Sequence, residues 1–109
     1  MNFNEYQIHA RRTANVEASF EDQLANYAMG ASGESGEMLD AVKKRLYQGH
    51  SLDDYRLAKE IGDTMWYLAN IANLIGFDLE MVAKMNIEKL KKRYPNGFNK
   101  EDSINRMDV

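Results

Sequence analysis

Four acidic residues stand in two pairs along this chain. Glu34 and Glu37 are three apart, and so are Glu60 and Asp63. On a helix, a spacing of three puts both carboxylates on one face, close enough to hold one cation together. A single E-x-x-E is common on solvated helix faces. Two such pairs on neighbouring antiparallel helices would instead face each other across a cleft. Without a cation that quartet repels itself, and at least one carboxyl would have to bind its proton more tightly. Mg2+ or Mn2+ turns the same quartet into a site of hard oxygen donors. A di-iron carboxylate site fits less well, because it needs E-x-x-H on two helices. The only histidines are His9 and His50, and neither lies three after a glutamate.

Each pair opens a longer line. Glu34, Glu37, Ala41 and Lys44 advance by 3, 4 and 3, and Glu60, Asp63, Tyr67 and Asn70 advance by the same steps. Among the first acids stand Gly30, Gly33 and Gly36, each costing a helix about 1 kcal/mol relative to alanine. Their recurrence by three makes a bare strip beside Glu37 that a ligand or another backbone can approach. A helix break near Ser32 is the other reading, and it leaves Glu34 beside Glu37.

The elements that must carry these lines are helical. Helices are predicted over roughly 3–13, 22–47, 51–74 and 78–94, with an irregular polar tail over 95–109. Asn2 or Asn4 starts the first, and Gly49 stops the second. Ser51 and Asp54 resemble a capping box for the third, Asp78 caps the fourth, and Pro95 ends it. Beside the acidic lines run apolar stripes: Leu24 to Leu46 on the second helix, Leu57, Ile61, Met65, Leu68, Ala72 and Ile75 on the third, Leu79 to Tyr94 on the fourth. These are read as the core of an antiparallel four-helix bundle.

Bulk properties agree with one all-α domain over residues 1–109. The chain has 109 residues, 44% hydrophobic, and no cysteine, so neither a disulfide frame nor a thiolate metal site is available. No apolar run is long enough for a membrane span, and the first residues do not read as a secretory signal. A formal charge of −3 argues against coating a nucleic-acid polymer. A soluble cytoplasmic protein is expected. So small a chain also needs burial against further copies of itself.

The segments GESGEMLDAVKK, KEIGDTMWYLANIA and NIEKLKKRYP resemble the MazG-like nucleoside triphosphate pyrophosphohydrolases of the all-α NTP pyrophosphatase superfamily. That family's pattern is E-x-x-E, a variable spacer, then E-x-x-D. The resemblance implies hydrolysis of an NTP or dNTP between the α- and β-phosphates, with Mg2+ held by Glu34, Glu37, Glu60 and Asp63. It also implies a homodimer or a pair of dimers. Glu34 is taken as the base that activates water, although the spacing does not rank the four acids. Asn86, Lys89 and Arg93 share a face of the fourth helix and, with Lys44, are the candidate phosphate contacts. Trp66 and Tyr67 either stack on a base or belong to the core. Tyr94 either touches the ligand or anchors its helix, and Asn70, Asn105 and Arg106 are further candidates. A non-catalytic helical module that binds nucleotide or metal is the alternative function, and a dUTP-specific relative is another.

Overall fold

The computed structural model describes residues 1–109 and contains five helices: α1 Phe3–Arg11, α2 Phe20–Tyr47, α3 Asp54–Ile75, α4 Leu79–Arg93 and α5 Lys100–Asn105. The all-α class read from the sequence is the class adopted. Outside the helices there is one isolated bridge, between Pro95 and Gly97.

Local chemistry sets the helix ends. The Asn2 side chain accepts from the Glu5 amide at 2.8 Å and opens α1. The Ser19 hydroxyl accepts from the Asp22 amide and opens α2 two residues before the predicted start. For α3 the cap is Asp53, accepting from the Tyr55 amide at 3.0 Å, so the predicted Ser51–Asp54 box does not form. Gly76 closes α3 in the left-handed conformation at φ 77°. Asp78 occupies the N-cap position of α4, but its side chain makes no cap bond. The first amides of α4 are taken by α1 instead: Leu79 N–H by Gln7 Oε1 at 2.7 Å, and Glu80 N–H by Asn4 Oδ1 at 3.2 Å. The tail expected to be irregular holds α5, capped by Asn99 through the Asp102 amide. Helix α2 runs unbroken through Ser32, so the three-glycine stretch stays helical.

Helices α2 and α3 form an antiparallel pair. Tyr27 meets Trp66 edge-to-face with ring centroids 5.9 Å apart, while Gly30 faces the Tyr67 ring and Ala41 lies near Leu57. From Gly30 through Glu34 and Glu37 to Ala41, contacts climbing α2 descend α3 from Tyr67 through Glu60 to Leu57. Helix α1 lies on α3, seated by amides rather than by a dry apolar face. Asn70 donates to the Ala10 carbonyl at 3.3 Å, Asn73 to the Gln7 carbonyl at 3.1 Å, and Trp66 Nε1 to Thr13 Oγ1 at 2.8 Å. Helix α4 packs on α1 and carries α5 at its far end.

The apolar stripe of α3 is not the core of the single chain. Ile61 and Leu68 are 52% and 49% exposed, and on α2 Leu39 is 70% exposed. The seam between α2 and α3 is lined instead by Tyr27, Gly30 and Ala41 from α2 and by Glu60, Trp66 and Tyr67 from α3. Small residues let the two backbones approach there, which turns the acidic lines inward and the aliphatic stripes outward.

Candidate metal centre

The α2–α3 seam brings three of the four predicted carboxylates together. One oxygen each from Glu34, Glu37 and Glu60 lies within 4.8 Å of the others. Their positions follow from the packing just described. Gly30 admits the Tyr67 ring and sets the spacing of the pair, and one turn later Glu34 and Glu37 meet Glu60. Asp63 is exposed and stands outside this group of three, one turn along the same face of α3.

Glu60 is only 9% exposed. The facing Glu34 carboxyl, followed by burial, pushes Glu60 above its ordinary value, and the charges of Glu34 and Asp63 act in the same direction. Glu37 acts in the opposite direction. Glu34 Oε2 and Glu60 Oε2 are both buried and have no hydrogen-bond partner. Buried carboxylate oxygens without donors are uncommon and costly. A divalent cation satisfies both at once, and a set made only of carboxylate oxygens suits Mg2+ or Mn2+. The residues present therefore fit such an ion.

The other predicted contacts are distributed unevenly. Trp66 and Tyr67 are half-buried in the seam, edge-to-face with centroids 5.1 Å apart. Asn70 is buried and donates to two backbone carbonyls, those of Ala10 and Trp66, so it holds α1 in place. Lys44 pairs with Asp40 at 2.9 Å. Asn86 and Lys89 are exposed on α4. Arg93 is engaged elsewhere: its Nε and Nη2 donate to Asp108 at 2.7 and 2.9 Å. That pair holds the Asp108 carboxyl well below the ordinary carboxylate range, at about 2. Arg106 lies 3.7 Å from the same carboxylate, and Tyr94 packs on Phe98 with centroids 5.6 Å apart. These residues lock the end of α4, and Asn105 closes α5 nearby.

Two participants escape reasoning from spacing. Tyr6 lies near Asp63, its hydroxyl donating to the Gly62 carbonyl at 3.5 Å. Burial and the charge of Asp63 push that phenol above its ordinary value. Gln7 donates to the Phe77 carbonyl and accepts from Leu79 N–H, each at 2.7 Å, and so joins the end of α3 to the start of α4. Neither position carries a periodic signal that reaches across more than 50 residues.

The MazG nucleotide pyrophosphohydrolase domain family matches residues 23–98, a span that holds both acidic pairs. The gene 37 protein of Mycobacterium phage L5 is 34% identical over 116 aligned positions, covering 97% of this chain and 100% of that protein. No solved structure matches the chain. No helix is long and apolar enough to cross a membrane. With its acidic seam and a match over most of its length, the chain belongs to the MazG nucleotide pyrophosphohydrolase domain family.

Proposed function

We propose that this protein is a magnesium-dependent pyrophosphohydrolase. It cleaves a nucleoside or deoxynucleoside triphosphate between the α- and β-phosphates, giving the monophosphate and pyrophosphate. The observation that carries this reading is the meeting of Glu34, Glu37 and Glu60 within 4.8 Å, with two buried carboxylate oxygens left unpartnered.

Glu34, Glu37 and Glu60 would hold Mg2+, or Mn2+ in its place, and Asp63 supplies a fourth carboxylate from the next turn. The ion would screen the triphosphate charge and make a bound water more acidic. Glu34 takes the proton of the attacking water through the carboxylate oxygen that does not face the ion. Lys44, Lys89 and Asn86 offer donors to the phosphates, and Arg93 does so by exchanging Asp108 for a phosphate. Tyr67, one turn beyond Asp63, walls the base side of the site together with Trp66, and Tyr94 supports the end of α4. The enzyme works in the cytoplasm as a homodimer or a pair of dimers, with neither a membrane nor a nucleic-acid polymer as partner. The aliphatic faces left open on α2, α3 and α4 support that assembly.

The test is a panel of NTPs and dNTPs with Mg2+, read by pyrophosphate release. Turnover of at least one substrate is expected. Glu37→Gln and Glu60→Gln should each lower it a hundredfold or more while circular dichroism stays unchanged. Full activity in either variant refutes the ligand assignment. Turnover of dUTP alone would make the protein a dUTP-specific relative. Nucleotide binding without any product would make it a binding module.

A further inference from the structure

Next to the three carboxylates, at the turn joining α2 to α3, lies a small pocket lined by Lys44, His50, Ser51, Asp53 and Arg56 over an apolar base of Ala41 and Leu57. Helical spacing fixes its place in the seam. Arg56 precedes Glu60 by four residues, one turn or about 6 Å along α3. Lys44 follows Glu37 by seven residues, two turns or about 10 Å along α2. The seam thus passes from carboxylates to cationic donors over the length of a short chain of linked phosphates.

We infer that this pocket receives the β- and γ-phosphates of the substrate and holds the pyrophosphate after cleavage. The identity of the ligand rests on the pyrophosphohydrolase reading; the pocket itself rests on the side chains that line it. Guanidinium, ammonium and hydroxyl groups are the usual donors to phosphate oxygens, and an imidazole donates in either protonation state. Arg56 makes no ion pair within the chain. A carboxylate already sits at the rim: Asp40, 2.9 Å from Lys44 Nζ. The bond from Lys44 and the charges of Lys44, Lys43 and Arg56 hold the Asp40 carboxyl below its ordinary value, so the local field favours an anion. Two carboxylates oppose an incoming phosphate, Asp40 and Asp53. Asp53 is turned to the Tyr55 amide as the cap of α3. The Lys44–Asp40 pair is well exposed, and pairs of that kind exchange partners readily.

Calorimetric titration of the full chain with inorganic pyrophosphate, in EDTA and at low salt, tests the pocket without turnover. Arg56→Ala should weaken binding at least fivefold, with Arg56→Lys restoring part of it. Asp40→Asn should tighten binding, and inorganic phosphate should bind more weakly than pyrophosphate. Circular dichroism establishes that each variant is folded. Unchanged affinity in folded Arg56→Ala, or no binding by the unaltered chain at millimolar pyrophosphate, overturns the inference. Either result leaves the hydrolase reading intact if the substrate panel gives product. Arg56-dependent binding without turnover of any nucleotide supports the pocket while the hydrolase reading falls.

Discussion

Glu34 and Glu60 each keep one buried carboxylate oxygen without a donor, and Glu37 adds a third negative charge within 4.8 Å. A divalent cation taken up there should therefore add stability. Millimolar Mg2+ added after EDTA should raise the melting temperature of the unaltered chain by about 4 °C or more, and that of Glu60→Gln by much less. Differential scanning fluorimetry measures both. Gly30 gives a second prediction. A methyl group there would overlap the Tyr67 ring, so Gly30→Ala should destabilise by about 1–3 kcal/mol in urea unfolding despite the better helix propensity of alanine. Gly33 and Gly36 face open space, whereas Gly30, expected to share that bare strip, is covered by the Tyr67 ring. At this scale the chain was readable where proximity follows helical spacing, as it does for Glu34, Glu37 and Glu60, which the fold brings together. It was opaque where partners are distant, as with Arg93, whose fork is filled by a carboxylate 15 residues later.

The helices themselves were legible from caps and periods, and their facing was not. On α3 the 3-and-4 repeat of Leu57, Ile61, Met65, Leu68 and Ala72 is real, yet the contacts with α2 are made by Glu60, Trp66 and Tyr67. Periodicity reports that a helix has two faces. Which face a neighbouring helix covers depends on how closely backbones can approach, and Gly30 with Ala41 decides it here. Helix α5 was missed because its six residues are too few for a periodic signal, while its Asn99 cap is a local feature. The Arg93–Asp108 pair ties this short helix to α4 and makes a pH prediction. Asp108 falls from its ordinary 3.8 to about 2 in the folded chain. The pair thus contributes fully above about pH 4, and its contribution is lost as the pH falls towards 2. Asp108→Asn should lower the urea midpoint at pH 7, and the difference from the unaltered chain should shrink below about pH 4 and vanish as the pH falls through about 2.

Taken whole, one chain is more extended than a compact fold of its length. Its radius of gyration is 16.9 Å, with extents of 47 × 40 × 28 Å, whereas a compact chain of this length would have about 13 Å. Ile61, Leu68, Val82 and Ile87 remain substantially exposed. Sedimentation equilibrium should give at least the dimer mass, with a melting temperature that rises with protein concentration. Leu68→Glu should shift the mass towards monomer and lower that temperature. The amide of Gln7 has a practical consequence for anyone shortening this protein. The family match begins at residue 23, but two opening amides of α4 are satisfied by side chains of residues 4 and 7. A fragment trimmed to the matched span would keep every carboxylate of the seam and yet fray at the start of its basic helix.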